Sequence, residues 1–381
     1  MEVPLLDLKA QYASIRDEVL AAVTEVLDTQ LVCNGPAVRQ FETEMIRYCG
    51  VEHALGVSSG TDALLISLMA LGVGDGHPAC RVGEACPGAD EVILPGFTFF
   101  GTAGSVWRVG AKPVFVDIDP ETFNLTPEAV EAAITEQTKA IMPVHLYGQV
   151  CEMDEILAIA RRHGLPVIED AAQAVGARYG ERRAGSMGRT ACLSFYPTKN
   201  LGAMGDGGMI LTGDEGLAER MAYLRNHGQS RQYIHDWVGG NFRMDSVIAA
   251  GLSAELPHLE QWTQARRANA AGYNERLAGV GEVATPIERP GRRHTYHQYV
   301  IRAERRDELR AFLKDRGVAS GVYYPLGLHM QACFAGLGYS EGDLPETERA
   351  CREVLALPVH PELTSEQVEY VAESIKAFYA G

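Results

Sequence analysis

The sequence predicts an α/β protein, with a large, doubly wound domain over residues 1–248 and a smaller α+β domain over residues 249–381. One indication is the length of 381 residues, which is more than one ordinary hydrophobic core accommodates. Another is an alternation of short β-branched runs with helical segments, which is typical of a mostly parallel sheet between helices. The third is that this alternation stops near Ala249.

Two helices are predicted ahead of the first β-branched run. Ser14 and Asp17 have the spacing of a capping box, and apolar residues then recur at helical intervals. We therefore expect an amphipathic N-terminal helix that begins at Ser14. Residues 60–71 are apolar on nearly all sides, and this pattern predicts a buried helix.

The sheet of the large domain is predicted from runs that are short, apolar and separated by helices or turns. Because runs of this kind are typical of buried parallel strands, we expect them to form one mostly parallel sheet. The predicted strands cover residues 92–94, 113–116, 140–144, 166–168, 193–195 and 209–211, and the clearest intervening helix covers 153–162.

The C-terminal residues show a different pattern. A helical stretch runs through Glu260, Ala265 and Tyr273 and leaves the sheet region. A strand is then predicted at 297–302, followed by helices at 306–315 and 366–378. This mixture indicates a separate α+β domain.

The charge of the chain excludes several classes of partner. A formal net charge of −16 argues against general binding to nucleic acid or to an anionic membrane. The polar start of the sequence lacks the apolar core of a signal peptide, and no apolar run is long enough for a membrane helix. We therefore expect a cytoplasmic protein.

The eight cysteines show no CxxC spacing, so reduced thiols are favoured over a disulfide framework. Cys80 and Cys86 lie in a Gly/Pro-rich insertion at 77–90, where they could bind a metal or pair. Two ligands alone do not complete a metal site, so a surface loop is the favoured interpretation and no metal is expected.

Lys199 stands between a short apolar strand and a glycine-rich turn, in the segment SFYPTKNLG. Most lysines are solvated surface groups. A lysine at the end of a buried strand, however, is held away from bulk water, which lowers its pKa and makes the amine nucleophilic. Because Schiff-base chemistry needs such an amine, Lys199 is the candidate catalytic residue.

A carboxylate follows the predicted strand at 166–168. Asp170 would lie at the carboxyl end of this strand, where open α/β sheets bind ligands, although it could merely cap the next helix. A carboxylate there could keep a pyridine nitrogen protonated, which makes the ring an electron sink. Gln173, one helical turn further on, could donate a hydrogen bond to a phenolic oxygen of that ring.

Two other motifs could bind the remainder of such a cofactor. Gly60 and Thr61 open the buried helix and offer N–H groups, a hydroxyl and the positive dipole end to a phosphate, although residues of this kind usually just cap helices. An aromatic residue of the segment 95–100 could stack on a planar ring, whereas most aromatics after a strand belong to the core.

Taken together and in this order, these motifs resemble the DegT-type nucleotide-sugar aminotransferases, which are fold-type I enzymes that use pyridoxal 5′-phosphate (PLP). The resemblance covers essentially the whole chain and rests on SGTDAL, the P-x-F-T-F segment, EDAAQ and SFYPTKNLG. It implies a large domain with a seven-stranded type of sheet. It also implies PLP as the cofactor, with its amine form (PMP) in the half-reaction.

The resemblance also implies a role for the polar residues around the ring. Lys199 would carry PLP as a Schiff base and move the proton to and from the sugar carbon. Asp170 would pair with the pyridinium nitrogen, and Gln173 would contact the phenolic oxygen. Tyr324 and His329 would face the substrate.

The remaining implied contacts hold the phosphate and the ring face. Gly60, Thr61 and Ser194 would bind the phosphate, and Phe99 would stack on the ring. The active site would be shared across a homodimer, with Asn241 reaching the phosphate of the partner subunit.

The residues after Lys199 bear on the position that is aminated. In the family that the sequence resembles, Asn-Leu-Gly followed by Gly-Asp-Gly-Gly is typical of enzymes that aminate a 3-keto sugar, and the chain has both motifs at 200–202 and 205–208. A 3-keto nucleotide sugar is therefore the expected acceptor and glutamate the expected donor, leaving 2-oxoglutarate. Arginines such as Arg225, Arg231 or Arg243 should line part of the cleft and bind the diphosphate, although a surface position is the more usual one for any single arginine.

Three alternatives remain open at this stage. The acceptor could be a 4-keto nucleotide sugar or a cyclitol ketone. The chain could also be a catalytically silent sensor or regulator with this fold, although the intact Lys199, Asp170 and Gln173 count against it. Deoxygenating relatives replace the lysine with histidine, so Lys199 argues against that reaction.

Overall fold

The computed structural model describes residues 1–74 and 89–381. Nearly all of the insertion at 77–90, with Cys80 and Cys86, lies outside the described residues, so the surface-loop interpretation stays a prediction. Seven strands form the central sheet: β1 (His53–Val57), β2 (Glu91–Pro95), β3 (Lys112–Val116), β4 (Thr138–Ile141), β5 (Ile168–Asp170), β6 (Thr190–Ser194) and β7 (Gly208–Thr212).

The strand order is β1-β7-β6-β5-β4-β2-β3. Two parallel bridges, Ile141 with Val167 and Val144 with Asp170, join β4 to β5 and make the seven strands one sheet. Within it β7 alone runs antiparallel to its neighbours, β1 and β6. The expectation of a mostly parallel, seven-stranded sheet is therefore confirmed.

Helices cover both faces of this sheet, because the strands are apolar on both sides. One core lies between the sheet and α2, α5, α6 and α8, and the other lies between the sheet and α3, α4 and α7. The helices are α1 (Leu8–Thr29), α2 (Pro36–Cys49), α3 (Gly60–Ala70), α4 (Phe100–Arg108), α5 (Pro127–Ala133), α6 (Met153–His163), α7 (Glu215–Leu224), α8 (Ser246–Glu255), α9 (Leu259–Leu277), α10 (Arg306–Asp315), α11 (Pro345–Glu353) and α12 (Ser365–Ala380).

The C-terminal part of the chain has a core of its own. Strands β8 (Val283–Ala284), β9 (Tyr299–Ala303) and β10 (Val354–Leu357) form an antiparallel sheet, which packs against α9, α10 and α12. Val3 belongs to this core as well, because its backbone pairs with Val318 beside α10. The exact division of the chain at residue 249 stays a prediction.

Short strands outside these two sheets form a hairpin and a small three-stranded sheet. The hairpin pairs Gln229–Arg231 with Ile234–His235, and the small sheet consists of Arg178–Tyr179, Arg182–Arg183 and Arg292–Arg293. In the described parts of the chain, no helix combines the length and the apolar character needed to cross a bilayer.

The predicted elements overlap the observed ones, with one clear error at the N-terminus. The first helix begins at Leu8, and Ser14 and Asp17 lie inside it. A carboxylate oxygen of Asp7 accepts a hydrogen bond from the N–H of Ala10 at 2.9 Å, so Asp7 is the cap. The Ser14 hydroxyl instead donates to the carbonyl of Gln11 inside the helix.

This correction gives a stability prediction. Asp7→Ala removes the cap of α1 and should lower the free energy of unfolding by about 1 kcal/mol, measured by urea unfolding. Asp17→Ala is the matched control; its side chain is 97% exposed, so its effect should stay within about 0.5 kcal/mol. Equal losses for the two variants, or a larger loss for Asp17→Ala, would contradict the assignment of the cap.

Candidate active site

A cavity of about 610 Å³ opens at the carboxyl ends of β5 and β6, between the starts of α3 and α4 and the C-terminal sheet. Ligands bind at this edge of open α/β sheets because strand ends and helix N-termini converge there. Its lining includes eight residues that were predicted from the sequence: Gly60, Thr61, Phe99, Asp170, Gln173, Ser194, Lys199 and Tyr324.

Lys199 lies in the turn that leaves β6. Its N–H donates to the carbonyl of Tyr196 at 2.8 Å, and the close approach of Gly202 to the carbonyl of Pro197 leaves no room there for a Cβ. Burial lowers the pKa of Lys199 to about 8, and the negative charge of Asp170 opposes this shift. The amine is therefore partly unprotonated near neutral pH, as a nucleophile must be.

Asp170 is the last residue of β5, and both its backbone and its side chain are held in place. Its N–H donates to the carbonyl of Pro143 at 2.9 Å, and its own carbonyl accepts the N–H of His145 at 3.0 Å. Its carboxylate accepts the hydroxyl of Thr102 at 2.8 Å and the N–H of Ala172 at 3.2 Å.

The charge of Asp170 makes it a specific partner for a cation. The side chain is 4% exposed, and burial raises its pKa in spite of the hydrogen bond from Thr102 and the charge of Lys199. A buried carboxylate of this kind gains stability from a cation that enters the cavity. A protonated ring nitrogen is such a cation.

Glu169 supports the same strand end from its other face, and sequence reasoning missed it. Its carboxylate is fully buried. One carboxylate oxygen lies 2.9 Å from Nε2 of His145 and accepts a hydrogen bond from the N–H of Gly185 at 2.8 Å. Two more N–H groups, those of Met187 and Gly188, donate to its other oxygen. Burial alone would raise the pKa of Glu169, but the hydrogen bonds and His145 lower it, so the carboxylate is ionised. An acidic residue within an apolar strand was the available signal.

The start of α3 has the features of a phosphate site. Ser59 caps the helix, its side-chain oxygen accepting the N–H of Asp62 at 3.1 Å. The N–H groups of Gly60 and Thr61 donate to no acceptor within the described residues. A Cβ on Gly60 would lie 2.7 Å from Cβ of Ser194, so glycine is required for α3 to begin against β6.

Gln173 is oriented by two hydrogen bonds. Its carbonyl oxygen accepts the N–H of Tyr147 at 2.8 Å, which leaves its NH₂ group to donate to the Tyr324 hydroxyl at 3.0 Å. Gln173 therefore presents a donor to the cavity. Phe99 also lies in the lining; it is 56% exposed, and its ring centroid is 6.3 Å from that of Tyr324.

The structure does not bring two of the candidate residues into this cavity. His329 is buried outside the lining, with Nε2 at 3.2 Å from the carboxylate of Glu348. Asn241 is exposed and pairs through its backbone with Asn226. Contacts of His329 with the substrate, and of Asn241 with a partner's phosphate, stay predictions.

The three arginines expected in the cleft also lie outside the lining of their own chain's cavity. Arg225 pairs with Glu42 at 2.6 Å, and Arg243 donates to the side-chain oxygen of Asn226 at 2.7 Å. Arg231 is exposed in the hairpin. The expectation that they line this cleft was wrong for a single chain, because each follows α7 on a segment outside the cavity wall.

The residues that do converge are suited to a phosphorylated pyridine aldehyde. The amine of Lys199, with its lowered pKa, can bind the aldehyde, and the buried carboxylate of Asp170 can pair with the ring nitrogen. The open N–H groups at the start of α3 can bind the phosphate.

The relatives of the chain agree with this fit. The model of the DegT/DnrJ/EryC1/StrS aminotransferase family matches residues 13–376. The chain belongs to this family. A similar solved structure, of S. venezuelae DesV in complex with a ketimine intermediate, has a TM-score of 0.94 and 43% identity, covering 100% of this chain and 99% of that one. The protein is a PLP-dependent aminotransferase of the mixed α/β fold that these relatives share.

Two curated relatives are similar over nearly their whole length. The chain is 52% identical over 381 residues to the "Pleiotropic regulatory protein" of Geobacillus stearothermophilus, covering 100% of this chain and 99% of the relative. It is 43% identical over 374 residues to the UDP-N-acetyl-3-dehydro-alpha-D-glucosamine 3-aminotransferase of Acidithiobacillus ferrooxidans, covering 98% and 97%.

The pKa of Lys199 predicts how the cofactor-free aminotransferase captures PLP as pH changes. Capture requires the unprotonated amine, which is about a tenth of the population at pH 7 if the pKa is about 8. The capture rate, followed by absorbance after mixing, should therefore rise with pH through a midpoint near pH 8 and level off above about pH 9.

A substitution of Asp170 tests the direction in which its charge shifts the pKa of Lys199. Asp170→Asn removes the charge that raises the pKa of Lys199, so the midpoint of the profile should move to lower pH. Asp206→Asn is the control, since Asp206 also lines the cavity but does not act on this pKa. An upward shift in Asp170→Asn, or a midpoint near 10 in the wild type, would contradict the description of Lys199.

Proposed function

We propose that this aminotransferase transfers the amino group of glutamate to the 3-keto carbon of a nucleotide-linked sugar, and that it works in the cytoplasm as a homodimer with shared active sites. The observation that carries the proposal is the convergence of Lys199, with its lowered pKa, and the buried Asp170 in one cavity. The reaction yields 2-oxoglutarate and an amino sugar.

Support for the 3-keto position comes from two sources. The Acidithiobacillus relative is named for 3-amination of a UDP-linked sugar. The chain also has Asn-Leu-Gly after the lysine and Gly-Asp-Gly-Gly at 205–208, as expected for an enzyme of this specificity. Either a UDP or a dTDP group is compatible with these observations.

Four residues of the cavity have a task in this reaction. Bound PLP supplies an electron sink for the bond that breaks at the amino donor. Asp170 keeps the ring nitrogen protonated, and the N–H groups of Gly60 and Thr61 hold the phosphate. Nζ of Lys199 anchors the resting cofactor, then removes the proton from the donor carbon and delivers one to the sugar carbon.

A regulatory role is suggested by the name of the Geobacillus relative. The chain nevertheless keeps the residues that bind and use the cofactor, Lys199, Asp170 and Gln173, in one cavity. A sensor without catalysis would have no need for an amine of lowered pKa beside a buried carboxylate. We therefore favour catalysis.

The first test concerns the lysine. The purified wild type, with PLP added, should show the visible absorbance of the lysine-bound cofactor. Lys199→Ala should lose this band and lose more than about 100-fold in turnover. Lys139→Ala, at an exposed position of β4, should keep both. A wild type that stays colourless with PLP would refute the proposal.

The second test concerns the sugar. The PMP-loaded enzyme should convert 3-keto nucleotide sugars with a kcat/KM at least about tenfold above that for the matched 4-keto sugars, measured by mass spectrometry of the amino-sugar product. UDP and dTDP substrates are compared in parallel, together with a cyclitol ketone. A preference for the 4-keto sugar or for the cyclitol would overturn the assignment, and no turnover of any ketone would favour the silent regulator.

A further inference from the structure

His297 lines the active-site cavity, and no pattern in the sequence predicted a role for it. The side chain is 7% exposed. The segment around it is fixed to the large domain, since the N–H of Thr295 donates to the carbonyl of Gly148 at 3.0 Å and the N–H of Gln298 to that of Tyr147 at 3.4 Å. The ring is therefore a rigid part of the cavity wall.

Asn200, the residue after Lys199, determines which nitrogen of His297 carries the proton. Its NH₂ group donates to the carbonyl of Thr295 at 3.2 Å, which fixes the orientation of the amide. Its carbonyl oxygen then lies 3.2 Å from Nδ1 of His297. Because this oxygen can only accept, Nδ1 is the protonated nitrogen and Nε2 has a free lone pair.

The ring also stays neutral. Burial, with the positive charges of Lys199 and Arg266, lowers the pKa of His297 well below its ordinary value. Nε2 has no hydrogen-bond partner among the described residues. Nε2 is open to the cavity, so a donor there can form a hydrogen bond with it.

Lys199 is the donor that the geometry favours. It directly precedes Asn200 in the chain, it lines the same cavity, and its charge is near enough to lower the pKa of His297. When the lysine is released from the cofactor, its neutral amine has two hydrogens and one lone pair. Fixing one N–H restricts the direction of the lone pair, and orientation of this kind accelerates proton transfer.

We propose that Asn200 and His297 are positioning residues for Lys199, with Nε2 of His297 accepting a hydrogen bond from the free lysine amine and directing its lone pair at the substrate carbon. The proposal rests on the role of Lys199 in the proposed function. No bond is formed or broken by His297 itself; the lysine takes up and returns the proton.

Two substitutions test the kinetic consequence. His297→Phe removes the acceptor and keeps a planar ring, and Asn200→Leu removes the oxygen that fixes the tautomer. Both should retain the visible band and a sugar KM within about twofold, whereas kcat should fall by about 10- to 100-fold. The primary isotope effect with α-deuterated glutamate should increase, because proton transfer becomes slower relative to the other steps.

Two further variants separate positioning from packing. Asn200→Asp keeps an oxygen that accepts from Nδ1 and should recover most of the wild-type kcat. His294→Phe changes another buried histidine, three residues earlier and outside the cavity lining, and should leave the isotope effect unchanged. Thermal unfolding of each variant measures the loss of stability separately.

Other outcomes of these experiments would contradict the proposal. A raised sugar KM with an unchanged isotope effect would mean that His297 binds the sugar, and a loss of stability alone would mean that it only packs; each would overturn the proposal. If even the wild type lacks the visible band, it is the role of Lys199 that fails.

A measurement on the cofactor-free wild type needs no turnover. Nitrogen NMR of the histidine rings, assigned with His297→Phe, should show His297 as the Nδ1–H tautomer with an unprotonated Nε2 near neutral pH. Asn200→Leu should lose this single tautomer. An Nε2–H tautomer or a cationic ring in the wild type would refute the proposal.

Discussion

Asp170 and Lys199 line one cavity, and each changes the proton affinity of the other. The carboxylate opposes the fall in the pKa of the lysine, and the ammonium opposes the rise in the pKa of the carboxylate. In bulk water such an interaction would be weak, but it is stronger inside a protein, where the effective dielectric constant is lower. The remaining structure keeps Asp170 buried and leaves both groups facing a cavity that is open to a ligand.

The end of β5 shows how much of the fold serves that purpose. Successive side chains of a strand point to opposite faces, so Glu169 and Asp170 cannot both face the cavity. Glu169 lies on the face opposite the cavity, where its carboxylate bonds to His145 and to N–H groups of the 185–188 turn. These bonds hold the end of β5 in place. The carboxylate of Asp170 accepts hydrogen bonds from the Thr102 hydroxyl and the N–H of Ala172, and it faces the cavity. Two adjacent carboxylates thus have different functions, one structural and one chemical.

The sequence predicted the parts of the site that depend on local pattern. Lys199 and Asp170 follow apolar runs, and the position of strand ends in an α/β sheet is enough to place them at one edge. The predicted start of α1 was wrong because Asp7 and Ser14 both have side chains that can cap a helix. Only the geometry of the folded chain decides between them. His297 and Thr102 were missed because their partners are distant in sequence. Arg225, Arg231 and Arg243 were predicted to line the cleft, but they do not line it in their own chain. Charge alone does not indicate which surface a loop faces.

The pairing of Val3 with Val318 has a consequence for the order in which the molecule is completed. Val3 precedes Val318 by 315 residues in the chain, so it is synthesised long before its partner and most of the core around it. Leu5 and Leu6, which follow it, form part of the cavity wall. Contacts between residues so far apart in sequence form late and slowly during folding. A nascent chain can therefore assemble its central sheet while that wall of the cavity is still missing, and the wall is completed only after Val318 has been synthesised.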